Sequence, residues 1–255
     1  MIPLDPEFLR RPLAHRALHD LAQGRPENSR AAIRAAISAG YGIEIDVQPS
    51  VDGVPMVFHD YRLGRLTGQE GAIRQLTASA LGAIHLTGSN EGIPTLSEVL
   101  DLVAGKVPLL IEIKDQDGAM GPDVGPLERA VVAALAGYAG PVALMSFNPH
   151  SVTALREAGA RCPVGLVTSS YRPEHWPLLP EPRRAELRAL EGIETLAPDF
   201  ISHEAADLGS PLVAALKARG LPILCWTIRS PEAEAEARRV ADNVTFEGYA
   251  APFPA

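Results

Sequence analysis

Two short runs set charged residues inside otherwise apolar sequence: GIEIDV at 42–47 carries Glu44 and Asp46, and PLLIEIK at 108–114 carries Glu112 and Lys114. A strand turns successive side chains to opposite faces, so Glu44 and Asp46 share one face while Ile43, Ile45 and Val47 share the other. Leu109, Ile111 and Ile113 repeat the apolar side, opposite Glu112 and Lys114. Three carboxylates converging on one place repel each other, and each costs free energy to bury unpaired. A divalent cation removes that cost, and an oxygen donor set without cysteine suits Mg²⁺ or Ca²⁺ better than zinc. The same charges have a plainer resolution, in which the acids pair with Lys114 or Arg16 and bind no metal.

Two histidines close strand-like runs in the same way, His15 before Arg16 and His59 before Asp60. Histidine titrates near neutral pH, so a pair of them beside acids and cations suits general acid and base catalysis. Arg16 can grip an oxyanion through two donors and Lys114 can set a point charge beside it, as a phosphoryl group requires; either can also serve to neutralise the acids. His19, His85, His150, His175 and His203 lack such company and read as surface or packing residues. Trp226, Phe147 and Tyr171 are candidates either to pack against a substrate at the rim or to fill the core there.

These side chains need a scaffold that brings distant strand ends together. Strand-like runs occur at 12–15, 42–48, 55–59, 108–114, 141–147, 163–168, 199–203, 222–228 and 243–247. Most are apolar on both faces, the pattern of buried parallel strands. Between them lie helical stretches with recognisable ends: Asn28 or Ser29 as N-cap and Gly40 as stop, then Thr95 and Glu98 as a capping box before Gly105. About eight strand-then-helix units in roughly 250 residues predict an α/β fold, a closed TIM (β/α)₈ barrel, with PMVFH as a short extra strand after the second barrel strand. A doubly wound open sheet is the alternative, but no Gly-rich turn follows the first strand. The stretch 61–92, polar and rich in turn residues, reads as the longest excursion, and 175–184 as a second irregular loop. The whole chain, 1–255, reads as a single domain with its motifs within about 12–250.

The formal net charge of -8 and the lack of a Lys/Arg cluster argue against a nucleic-acid surface. No stretch is long and apolar enough to span a bilayer, so no stable membrane insertion is expected. The opening MIPLDPEFLRRPLAH has neither the basic nor the apolar region of a secretory signal, which makes the cytoplasm the expected location. Cys162 and Cys225 are too few for a disulfide framework, lack metal-site spacing and read as core residues.

Taken in order, AHR, RPENS, GIEIDVQPSVDGVPMVFHD, IPTLSEVL, LLIEIK, SFNP and CWTI resemble the glycerophosphodiester phosphodiesterase family, TIM barrels related to phosphatidylinositol-type phospholipases. The likeness runs from about Ala14 to the region of Glu247. It implies that Glu44, Asp46 and Glu112 hold Mg²⁺ or Ca²⁺, that His15 and His59 are the acid/base pair, and that Arg16 and Lys114 contact the substrate phosphate. Glu27 and Asn28 match the PEN element near the site, where Glu27 could support a metal ligand or His15 and Asn28 could simply cap a helix. Trp226 is a further candidate for the surroundings of the site. The implied partner is a small glycerophosphodiester, hydrolysed to glycerol 3-phosphate and an alcohol. The alternatives are a lysophospholipase D and a catalytically silent barrel that binds a phosphorylated ligand. Oligomeric state, head-group and metal identity are not legible. Three departures stand out: Ala17 where the family usually has glycine, eight residues between HRA and PEN, and Glu247 near the C-terminus where the family often has aspartate.

Overall fold

In the computed structural model, which describes residues 2–254, nine strands form one sheet. They are β1 Leu13–Ala14, β2 Gly42–Pro49, β3 Pro55–Val57, β4 Leu109–Ile113, β5 Val142–Ser146, β6 Val164–Thr168, β7 Ile201–Glu204, β8 Ile223–Ile228 and β9 Asn243–Phe246. β1 pairs in parallel with both β2 and β9, which closes a ring of eight parallel strands. β3 lies outside the ring, antiparallel on β2, with Val47 opposite Val57. The expected barrel and its extra strand are both present; β3 stops at Val57, so His59 lies just past its end.

Alternation along each strand decides what faces where. Ile43, Ile45, Val47, Ile111 and Ile113 join the large core between ring and helices, together with Ala32, Ile33 and Ala36. The helix Arg30–Ala39 is capped by the Ser29 hydroxyl, which accepts from the Ala32 N–H, and ends at Gly40 with φ 79°. The capping box of Thr95 and Glu98 opens the helix Leu96–Val103 as its residues predict.

The inward faces are filled differently along the barrel axis. Near its base Leu13, Leu110, Ala143, Val167, Phe200 and Leu224 pack together and Phe8 closes the bottom. Gly165 has no side chain because the Phe200 ring occupies the space a Cβ would take. One step toward the carboxyl ends of the strands the inward face becomes polar, and Asp46 stands in register beside Glu112.

The excursion after β3 is more ordered than its polar composition suggests. Short helical turns at Gly64–Thr67, Ile73–Gln75 and Ala78–Gly82 close over Met56, Phe58, Leu63, Ile73, Leu81 and Leu86, all buried. Its scattered apolar residues build a satellite core. Among the described residues no helix is long and apolar enough to cross a membrane.

Candidate active site

Glu44, Asp46 and Glu112 each offer an oxygen within 4.8 Å of the others, and all three are buried. Register accounts for the convergence: Glu44 and Asp46 are two residues apart on β2, and β4 sets Glu112 beside Asp46. Lys114 reaches back from the end of β4 and places its Nζ 2.6 Å from Asp46 Oδ1 and 2.6 Å from Glu112 Oε1. Burial alone would depress the Lys114 pKa, yet the two carboxylates hold it above the ordinary value. Burial would likewise raise Asp46, but Lys114 and the other nearby cations keep it far below the usual carboxylate range.

Glu44 is left without such a partner. Burial, reinforced by Asp46 and Glu112, pushes its pKa well above the ordinary value. Its one hydrogen bond from the described residues is the Arg16 backbone N–H, 2.9 Å from Oε2. That bond depends on a tight turn in which Arg16 and Ala17 adopt φ 53° and 65°. The alanine that stands in place of glycine therefore takes up the left-handed conformation regardless, with its methyl buried. Lys114 and Arg16, whose Nε stands 3.8 Å from Asp46 Oδ2 and which also pairs with Glu27, are two cations against three buried acids, and hard carboxylate oxygens are the donor set for a hard divalent cation. Glu44, Asp46 and Glu112 can hold such an ion, and the ion pairs of Lys114 go to two of these acids.

The PEN run divides its work. Asn28, at φ 58°, donates from Nδ2 to Asp46 Oδ2 at 2.9 Å, and the helix cap falls to Ser29. Glu27 pairs with Arg16 at 2.8 Å and with Arg65 at 2.7 and 2.8 Å, rather than with His15. Among the described residues the buried Arg16 Nε makes no hydrogen bond; it stands 3.8 Å from Asp46 Oδ2.

Both histidines are held by carboxylates at the same ring nitrogen. His15 Nδ1 lies 2.6 Å from Glu247 Oε2, and His59 Nδ1 lies 2.7 Å from Asp60 Oδ1. A carboxylate at Nδ1 fixes the proton there and leaves Nε2 as the working nitrogen. Burial lowers the His15 pKa, and the hydrogen bond to Glu247 only partly opposes it. Glu247 is itself held low, first by the hydrogen bond from His15, and Arg229 Nε sits 2.7 Å from its other oxygen. Thus the glutamate that departs from the family's usual aspartate is the support of His15. His19, read from sequence as a bystander, stands 3.6 Å from the same carboxylate.

The strand ends open into a cavity of about 950 Å³. His15, Arg16, Glu44, His59, Glu112 and Lys114 line one side, so the expected catalytic, phosphate-contact and acid positions meet in one place. Phe147, Trp176 and Trp226 line the opposite side. Tyr171 does not: it is buried in a satellite cluster with Met120, Leu179 and Leu187. His175 is exposed, as read, at the rim of the cavity, while His203 packs inside with Nδ1 2.7 Å from Thr168 Oγ1. Cys225 is buried as expected, and Cys162 is half-buried. Sequence reasoning missed Arg65, Trp176 and Glu204; only Trp176, an aromatic in a loop between two strands, carried any signal.

The model of the Glycerophosphoryl diester phosphodiesterase family matches residues 15–244. The chain is 27% identical to YhdW of Bacillus subtilis over 234 residues, 88% of each chain. It is 30% identical to the glycerophosphodiester phosphodiesterase of Caldanaerobacter subterraneus subsp. tengcongensis over 161 residues, 59% of this chain and 65% of that relative. Among solved structures, it resembles an Oleispira antarctica phosphodiesterase in complex with the product sn-glycerol-3-phosphate, with a TM-score of 0.74, 24% identity, and coverage of 94% of this chain and 93% of that one.

Proposed function

The chain belongs to the glycerophosphoryl diester phosphodiesterase family, and on that footing we propose that it hydrolyses glycerophosphodiesters to glycerol 3-phosphate and an alcohol, with His15 and His59 as the acid/base pair and a divalent cation at Glu44, Asp46 and Glu112. The observation that carries the reading is the meeting of two carboxylate-held histidines with three buried acids at one cavity rim. The product bound in the Oleispira antarctica enzyme supports a substrate of this size and chemistry.

A divalent cation, when bound, supplies positive charge against a nonbridging phosphate oxygen and the charge that develops there. Arg16 and Lys114, both lining the cavity, set their positive charges beside the phosphate. His15, kept neutral by burial, takes at Nε2 the proton of the attacking hydroxyl, which belongs either to water or to the glycerol 2-position. A new P–O bond forms to that oxygen while the P–O bond to the alcohol breaks. His59 delivers the proton that the departing alkoxide needs. If the 2-hydroxyl attacks first, the same pair works in reverse to let water open the cyclic phosphate.

Glu247 and Asp60 act behind the histidines by holding the Nδ1 proton, and Asn28 orients Asp46. The presence of every acid and both histidines favours turnover over a silent binding barrel. The deciding experiment incubates the purified chain with glycerophosphocholine in Mg²⁺, in Ca²⁺ and in EDTA and measures released glycerol 3-phosphate. Turnover with either ion and its loss in EDTA are expected; equal turnover in EDTA removes the cation from the mechanism.

A further inference from the structure

Opposite the acids, the cavity carries a second charged group that hydrolysis as described does not use. Glu204 ends β7, and its Cα stands in register with Trp226 on β8, so both side chains line the same wall. Phe147 lies between the two indoles, with ring centroids 5.5 Å from Trp226 and 5.0 Å from Trp176. The Trp226 Nε1–H is occupied by the Ser202 carbonyl at 3.0 Å, which fixes the ring and leaves its apolar surface to the cavity.

The Glu204 carboxylate is built in, not stray. Its Oε2 accepts from Ser169 Oγ at 2.9 Å, from the Ser170 N–H at 2.9 Å and from Ser170 Oγ at 2.7 Å. Oε1 accepts no hydrogen bond among the described residues, and the exposed His175 imidazole stands 3.9 Å from it. Burial would raise the Glu204 pKa, but the Ser170 and Ser169 bonds hold it below the ordinary value, so the group is anionic at neutral pH. Arg229, the other cation on that part of the lining, is engaged by Glu247.

An anion lining the same cavity as three aromatic rings, one of them its neighbour across the strands, is the chemistry that holds an organic ammonium, because the ring faces attract positive charge and cover its methyl or methylene groups. We propose that Glu204, Phe147, Trp176 and Trp226 form a head-group subsite that selects glycerophosphodiesters of ammonium alcohols, such as choline or ethanolamine, over those of neutral polyols. The inference rests on the proposed hydrolysis and adds the identity of the leaving alcohol. A neutral polyol gains little from the rings and leaves the Glu204 charge unmatched. An acyl chain would cover the rings but desolvate Glu204 without compensation.

The test measures kcat/KM for glycerophosphocholine, glycerophosphoethanolamine, glycerophosphoglycerol and glycerophosphoinositol with wild type, Glu204→Gln and Trp176→Leu. Wild type is expected to favour the two ammonium diesters by about tenfold or more, and each variant to bring that ratio toward unity. Binding of free choline, measured by calorimetry against myo-inositol, reads the subsite without turnover. Choline binding that weakens in Glu204→Gln supports the subsite even in a chain that hydrolyses none of the diesters, which would sink the hydrolysis alone. Thermal melts establish that the variants are folded, and the Trp176→Leu variant decides if Glu204→Gln is not. Equal wild-type rates on neutral and ammonium diesters, an unchanged ratio in a folded variant, or a preference for lysophosphatidylcholine over glycerophosphocholine overturns the assignment.

Discussion

Lys114 Nζ lies 2.6 Å from Asp46 Oδ1, and the same ammonium is 2.6 Å from Glu112, so one cation serves two of the three buried acids. Removing it leaves carboxylates that must either repel or take up protons. Lys114→Met is therefore expected to lower metal-free stability by about 3 kcal/mol, the low end for breaking a buried pair. It also enlarges the share of that loss that Ca²⁺ or Mg²⁺ can restore. Thermal melts of wild type and variant, with and without the ion, check this; a variant as stable as wild type in EDTA contradicts it.

Glu44 gives the proposed metal site a pH signature. Its folded pKa is raised above the reference of 4.5, so its contribution to stability is complete below that value and is lost as pH rises through the elevated one. Asp46 runs the other way: its folded pKa is depressed, and its contribution, present above the reference of 3.8, is lost as pH falls through the depressed value. A bound cation needs Glu44 ionised, so the rise in melting temperature on adding Mg²⁺ or Ca²⁺ should be larger at pH 8 than at pH 5. A shift of the same size at both pH values means that Glu44 is not a ligand.

His15→Ala and His59→Ala should each reduce kcat by about 10²- to 10⁴-fold. Glu247→Gln offers a finer readout. It removes a group that raises the His15 pKa, so the acid limb of the kcat/KM profile should move to lower pH, with a rate loss of about 10- to 100-fold. A profile that moves upward or stays in place would separate Glu247 from the function of His15.

The barrel, the acids and both histidines were legible because they depend on local pattern: period-two alternation puts Glu44 and Asp46 on one face, and a short strand ends at each histidine. The support around them was not. Glu247 reaches His15 across 232 positions, and no local pattern announces a partner that ring closure brings together. The excursion at 61–92 misled for a related reason: its apolar residues follow no single period, since they come from separate short turns that share one small core. Ala17 looked like an obstacle to a turn that it nonetheless makes, at a cost of about 1–2 kcal/mol for a left-handed non-glycine residue.

Arg65, inside that excursion, is the clearest case of a residue that works through others. Its guanidinium donates to both oxygens of Glu27, at 2.7 and 2.8 Å, and to both oxygens of Asp60, at 2.7 and 2.8 Å. Asp60 holds His59 and Glu27 holds Arg16, so one side chain braces both ends of the rim. Arg65 is half exposed, and ion pairs in such a position contribute little to folding. Arg65→Met should therefore shift the melting temperature slightly while lowering kcat by about tenfold or more, since a misplaced His59 loses alignment that a reaction depends on. Arg65→Lys keeps the charge but not the paired donors that span two carboxylates, so it should recover only part of the rate. Full recovery by lysine would reduce the role of Arg65 to charge alone, and a large fall in melting temperature with normal kcat would make it a structural brace.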